Sequence, residues 1–493
     1  MQAIARHIAI IGKGFARFRQ GCWRYGMRVA KVNMLWSVPL FLLVGLMAMP
    51  AGAAEAGATW FGIYRNEQKI GWHHETVVTA GDAITQTSHT AIKLAMGPMT
   101  IRTTIDGELV CDTAYQPRTF AYRLAGDMLD LSVAGEVRGD SLTVRMTSAG
   151  TTTEKQFSAR EVTLPQLADL MLRGMELKVG DSFAFQVFEP TAQASGELRI
   201  SVDREELLPV GSARQTVRVL KLSFAGIETE TWLDAAGEPL LITMPMGMTF
   251  RREAPELAQA DQAGEPLDLL TSAAITPIRP IKNPRRLFAA RYRLAGTPLD
   301  GLTLTGAGQG FADAVVRIDR LQELPAASPA GEVQPPDAFC DYNQKDVAEL
   351  AQRLPAGTRD ARLLPRDYVQ ADLGWIKENI TPRLTLSLPR ASQVLAMRQG
   401  DCNEMAVLLC ALLRAQGIPA QVVAGVVYVD GKFYYHAWVE ADIGGLQAID
   451  PAFNQESADA THIKLVAGDV LAQARIIPVI GKLQIEPLPA EGE

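Results

Sequence analysis

From Thr59 to about Phe250, apolar and polar residues alternate with a period of two, in short runs broken by turn residues. Trp60-Phe61-Gly62-Ile63-Tyr64, the run from Met99 to Ile105 and the run from Ser141 to Met146 show it clearly. A period of two, rich in β-branched and aromatic residues, puts one side chain in and the next out, as in half-buried strands. Ala80-Gly81-Asp82, Ile105-Asp106-Gly107, Arg138-Gly139-Asp140 and Ala236-Gly237-Glu238 supply the turns between runs. One helix, Leu164 to Leu172, interrupts the series. This half reads as an antiparallel β-sandwich or an open, barrel-like sheet.

The segment before it has another character. Residues 1–53 hold Arg6, Lys13, Arg17, Arg19, Arg24, Arg28 and Lys31 and no acid. An apolar run from Leu35 to Met49 follows, then Pro50-Ala51-Gly52-Ala53-Ala54. Basic, apolar and small-residue regions in that order read as a signal peptide cleaved after Ala53, with Met27 or Met34 as alternative starts. The chain is therefore expected in the periplasm or outside the cell. The alternative is an inner-membrane anchor made by residues 35–49, which is short for a bilayer span. The remaining residues carry 41 basic and 55 acidic side chains, a net charge of −14. Nucleic-acid binding, which needs a basic face, is not expected.

Residues 54–252 form the β-rich region in this reading, and 253–284, rich in Ala, Pro, Glu and Asp, form a linker. Residues 285–337 are a small β segment and a Pro-rich linker, 338–470 a second domain, and 471–493 a C-terminal strand or tail. Too few cysteines occur for a disulfide scaffold. Cys402 and Cys410 lie too far apart along one helix to bond, while Cys111–Cys340 stays open as a pair. His73 and His74, adjacent on a strand, point to opposite faces and cannot both ligate one metal. His89 has no partner at metal-ligand spacing. No metal or cofactor motif is found.

The last third changes period. Helical spacing appears at Val347–Leu354, at Tyr368–Ile376 and most strongly after Gly400-Asp401-Cys402-Asn403-Glu404. Asp401 as N-cap and Glu404 three residues later make a capping box. Met405, Leu408, Leu409, Leu412 and Leu413 then form an apolar face, and Gly417 and Pro419 end the helix. Cys402 thus sits in the first turn, where unpaired N–H groups and the helix dipole favour a thiolate. Its backbone N–H could serve an oxyanion hole. Downstream, Ala420–Val429 reads as a strand and Asp430-Gly431-Lys432 as a hairpin turn. Phe433–Glu440 returns with His436, and Leu446–Ile449 leads into Asp450-Pro451. A helix-start Cys, a mid-strand His and a strand-end Asp can converge as a triad. Cys410 falls on the apolar side and reads as core. His462 reads as a surface or structural residue, and Gln393, Gln399 and Trp375 are candidates for an oxyanion donor.

Gly400-Asp401-Cys402, the run from Leu408 to Ala420, His436-Ala437-Trp438-Val439-Glu440 and Asp450-Pro451 together resemble the transglutaminase-like superfamily. The resemblance covers about residues 340–470. It implies a papain-like core, with a Cys-bearing helix packed on an antiparallel sheet, so the whole chain is expected to be multidomain α+β. It also implies Cys402, His436 and Asp450 as catalytic residues. The run Asn403-Glu404-Met405 departs from the Thr, Glu and His of many bacterial relatives. By this resemblance the chain is an exported cysteine-dependent acyl-transfer enzyme acting on amide bonds. Hydrolysis of a protein or peptide is favoured over cross-linking, with cell-envelope material as a candidate substrate. The alternative is a non-catalytic envelope-binding module on the same core.

Overall fold

The computed structural model describes residues 58–489, apart from 97–98, 128, 149, 161–162, 173–174, 211–212, 261–267, 269–272, 322–330, 355–362 and 384–389. The signal-peptide and anchor readings of residues 1–53 lie outside the described residues. Among the described residues no helix is long and apolar enough to cross a membrane.

The alternating half forms one continuous antiparallel sheet of 14 strands. Its first strand, Thr59–Arg65, pairs with its last, Met248–Arg252, so the chain starts and ends this region at the middle of the sheet. Two meanders run outward from that seam, one to Thr151–Ser158 and the other to Ser182–Glu189. Within each meander every connection is a hairpin or short loop, the geometry open to antiparallel but not parallel neighbours, while the segment linking the two edge strands carries a helix. Ile101, Ile105, Leu109, Leu124, Val133, Val144, Leu198, Ile200 and Phe250 fill the inner face. The helix Pro165–Leu172 lies among these buried residues, with Leu167, Ala168 and Leu170 covered. His73 and His74 do face opposite ways: His73 is fully buried with Nδ1 2.7 Å from Thr90 Oγ1, while His74 stacks on Trp60.

A smaller sheet follows, formed by Ala289–Ala295, Gln309–Ala312, Val315–Asp319 and the C-terminal strand Gln484–Pro487. The tail therefore completes a sheet begun about two hundred residues earlier, a pairing that no local pattern announces.

The last third is helical on one side and a sheet on the other. Helices α1 (Lys345–Arg353), α2 (Pro365–Asn379) and α3 (Ala391–Met397) pack around α4 (Cys402–Ala415). Helix α4 lies on a sheet ordered β3 (Leu446–Ile449), β2 (Lys432–Asp442), β1 (Ala420–Val429), β4 (Ile463–Ala467). The β1–β2 hairpin turns at Asp430 and Gly431 with φ of 49° and 93°, the left-handed pair that Asp-Gly accommodates. All but one residue of α4 is buried, so this helix is hydrophobic on every side because it is enclosed on every side. Cys410 is core, as expected, and its Sγ lies 3.8 Å from that of Cys340. The Cys111–Cys340 pairing left open by the sequence is not formed.

Among the described residues, two of the contacts made by this core reach the chain that precedes it. Arg390, at the start of α3, reaches Gln193 Oε1 and Met146 Sδ, each at 3.3 Å. Ile275 exchanges both backbone hydrogen bonds with Phe433, extending the core sheet by one residue from the preceding segment.

Candidate active site

The start of α4 is built locally. Asp401 accepts the backbone N–H of Asn403 at 2.9 Å, and Glu404 reaches back to the N–H of Asp401 at 3.0 Å. These are the two reciprocal bonds of a capping box, and they satisfy donors that a helix start otherwise leaves open. Gly400 lets the preceding segment approach this cap, since a Cβ there would come within 2.3 Å of Glu404 Cβ. Cys402 is thereby fixed on the first turn, facing β2.

Strand β2 carries the candidate base. His436 is fully buried, opposite Gly425 of β1. A Cβ at Gly425 would come within 2.1 Å of the Ile463 carbonyl oxygen and 2.6 Å of the Trp438 ring. The glycine thus lets β4 and Trp438 close over the strand that carries His436. The residue after the histidine, Ala437, gives its backbone N–H to the Cys402 sulfur. The candidate nucleophile and candidate base therefore belong to one contact between α4 and β2.

Asp450, at the end of β3, is fully buried beside them. Its Oδ2 lies 2.9 Å from His436 Nε2. Its Oδ1 accepts the N–H groups of Ala452 at 2.7 Å and Phe453 at 3.0 Å, which fixes the carboxylate plane. With Nε2 engaged by Asp450, Nδ1 is the ring nitrogen left to serve the thiol. Burial works against the charge on Asp450, but His436 and His462 outweigh it and hold its carboxyl well below the usual carboxylate range.

Cys402 behaves differently from the sequence expectation. Its position on the helix was expected to favour the thiolate. Burial instead pushes the thiol well above its ordinary value, and the charges of Asp401, Glu404 and Asp450 act the same way, against the Ala437 N–H. The cap that builds the helix start also puts two carboxylates beside the sulfur. With 1% of its surface exposed, Cys402 is covered in this state.

His462, read as surface or structural, is fully buried. Its Nε2 lies 2.9 Å from Asp450 Oδ2, the same oxygen that His436 uses. Its Nδ1 lies 3.1 Å from the Asp459 carbonyl oxygen. Arg285 binds the other side of Asp459 at 2.7 Å, from the segment read as the start of the small β region. Among the described residues, His436, Asp450 and His462 have ligand-capable atoms within 4.8 Å of one another. Those atoms serve one another, with Oδ2 taken by two imidazoles and Oδ1 by two amides, as in a hydrogen-bonded cluster. Of the oxyanion candidates, Gln399 accepts a hydrogen bond from Arg383 on its Oε1, and Trp375 carries the Arg398 guanidinium on its ring. Gln393 is buried in α3.

Residues 348–451 match the transglutaminase-like superfamily core, and this stretch contains Cys402, His436 and Asp450. The match supports a cysteine-dependent enzyme in general terms. No curated protein matches the chain. Among solved structures, a β-barrel-like protein of a domain of unknown function from Brucella abortus is similar at 9% identity. That match covers 41% of this chain and 98% of that one, with a TM-score of 0.33. A structure named Putative Cysteine Protease from Cytophaga hutchinsonii is similar at 15% identity over 64% of this chain and 78% of that one, with a TM-score of 0.27. A structure named Putative Protease from Parabacteroides distasonis is similar at 12% identity over 75% and 67%, with a TM-score of 0.20.

Proposed function

We propose that this chain is a cysteine-dependent acyl-transfer enzyme, with Cys402 as nucleophile, His436 as base and Asp450 as the group that orients it. The observation that carries this reading is the single contact in which Ala437 binds the Cys402 sulfur while its neighbour His436 is held through Nε2 by Asp450. His436 takes the thiol proton on Nδ1, and the thiolate attacks an amide carbonyl. The Cys402 backbone N–H at the start of α4 serves the developing oxyanion. His436 returns the proton to the leaving amine, and a thioester remains. Water, deprotonated by His436, then releases the acid and restores the thiol.

The substrate class proposed is a protein or peptide amide, in the periplasm or outside the cell, with hydrolysis ahead of cross-linking. The covered state of Cys402 means that the acyl donor must displace what lies over the sulfur. That same burial favours the second reading, a binding module on a dead core.

Fluorogenic peptide amides, offered with and without a fluorescent alkylamine, separate the outcomes. Hydrolysis predicts turnover without amine incorporation, lost in Cys402→Ala and in His436→Ala. Amine incorporation would replace hydrolysis by transamidation. No turnover, with envelope binding equal in wild type and Cys402→Ala, would support the binding module.

A further inference from the structure

The second histidine of the cluster holds two acceptors. Asp450 Oδ2 is a carboxylate oxygen and Asp459 O a backbone carbonyl oxygen, and neither can donate. A neutral imidazole carries one N–H and could satisfy only one of them. Both are satisfied when His462 is an imidazolium. The Asp459 carboxylate stands 3.5 Å from the same Nδ1 and adds a second negative charge. Burial alone lowers such a histidine, yet the two aspartates outweigh it and raise its pKa above the ordinary value.

The charged groups alternate in sign. Arg285, Asp459, His462, Asp450 and His436 follow one another through contacts of 2.7 Å, 3.5 Å, 2.9 Å and 2.9 Å, and Cys402 stands at the end. Other charges near His462 do not break this order. Arg320 gives a hydrogen bond to the His462 carbonyl oxygen, and Glu440 and Lys464 neutralise each other at 2.6 Å on the neighbouring strands. The Trp438 and Phe453 rings fill the remaining sides of His462 edge-on.

We propose that His462 is a positioning residue, an imidazolium held between Asp450 and Asp459 that orients the Asp450 carboxylate and sets the pH range over which Cys402 and His436 exchange their proton. It rests on the reading of Cys402 and His436 as nucleophile and base. The ring centroids of the two histidines are 5.7 Å apart. A unit positive charge at that distance favours loss of a proton from His436, and acts more weakly in the same sense on Cys402 beyond it. At an effective dielectric of about 20 the effect amounts to roughly one to two pH units. Removing it should therefore move both the onset and the end of the thiolate–imidazolium range to higher pH.

The thiolate ultraviolet absorbance of the full chain, read against Cys402→Ala across pH, reports that range without requiring access to the sulfur. His462→Gln keeps a donor toward Asp450 but not the charge. The expected result is a profile displaced upward by roughly one to two pH units, with His462→Ala displaced and also lowered in amplitude. Asp459→Asn removes the anion that holds the charge and should displace the profile in the same direction. It carries the test if His462→Gln fails to fold. In the unaltered chain, ring ¹⁵N spectra of labelled histidine should show His462 with both nitrogens protonated at neutral pH. A glutamine or asparagine profile that overlays wild type, or a His462 ring with one protonated nitrogen, overturns the proposal. So does complete loss of the thiolate range in His462→Gln, which would make the residue part of the base itself. If His436→Ala leaves the wild-type profile unchanged, the base reading fails instead, and the ring spectra still report on His462.

Discussion

Asp372 lies in α2 with none of its surface exposed. One oxygen accepts Gln416 Nε2 at 3.0 Å and the other has no partner. Burial, only partly opposed by that bond, pushes its pKa up to about 7. A carboxyl group raised in this way binds a proton in the folded state at pH values where the unfolded chain has released it. Its cost to stability is absent below about pH 4, grows as pH rises and is complete above about pH 7. Asp372→Asn keeps an acceptor for Gln416 and removes the charge. It should raise the unfolding free energy at pH 8, by on the order of 4 kcal/mol at most, and leave it unchanged at pH 4. Equal gains at both values would show that the charge is not the cause. Asp450 and Asp459 work with the opposite sign. Their carboxyls are held low, so their contribution is present at neutral pH and fades as pH falls through the acid range.

Helix α4 and the hairpin behind it meet through small devices that can be tested singly. Asp401→Ala removes the acceptor of the Asn403 N–H. It should cost about 1 kcal/mol in denaturant unfolding, with Asp401→Asn close to wild type. Gly425→Ala is expected to be far more damaging, because the Ile463 carbonyl is backbone and cannot turn aside. A loss of about 3 kcal/mol or more is expected. The peptide turnover should fall with it, since the same glycine sets the depth of His436. A Gly425→Ala chain with wild-type stability would mean that β1 and β4 part more easily than their packing suggests. Strands β1, β2 and β3 of this sheet were legible in the sequence to within a residue or two, because apolar runs bounded by Asp-Gly and Gly-Gly are local signals, whereas β4 was not read as a strand. The helix start was legible for the same reason. The state of the thiol was not. Position on the helix favours a thiolate, but burial outweighs it, helped by Asp450 from a distant strand and by the neighbouring carboxylates of Asp401 and Glu404, and the burial is not encoded next to Cys402.

At the scale of the molecule, the β-rich half meets the core around Arg390. Its guanidinium is buried and its pKa is lowered by that burial, and its two hydrogen bonds are long. The charge of Asp341 opposes that shift only in part; a buried cation so weakly compensated contributes little net stability, and an apolar side chain of similar length can replace it. Arg390→Met should therefore keep the melting temperature within a few degrees or raise it. A large loss would show that the contact with Gln193 holds the two halves together. The expected antiparallel β region and the helix-plus-sheet core are both present, but the sequence left the β region open between a sandwich and a barrel-like sheet. It forms a single 14-stranded antiparallel sheet whose first and last strands pair at its centre. Alternation says which face of a strand is buried. It does not say which distant strand lies beside it.

The sequence by itself determined the period of each half, the ends of the helix that carries Cys402, the hairpin, and the order in which a cysteine, a histidine and an aspartate are presented. Each of these depends on residues within a turn or two of one another, where propensity and capping decide. Only the tertiary structure decided that His462 and His436 share one oxygen of Asp450, that Arg285 stands behind Asp459, and that Cys340 lies against Cys410. These contacts join segments up to 174 residues apart. They exist because β4 folds back onto β1 and the segment around residue 285 packs over the turn between β3 and β4. Register and burial fix those arrangements across the whole fold, and no local stretch of the chain carries the information.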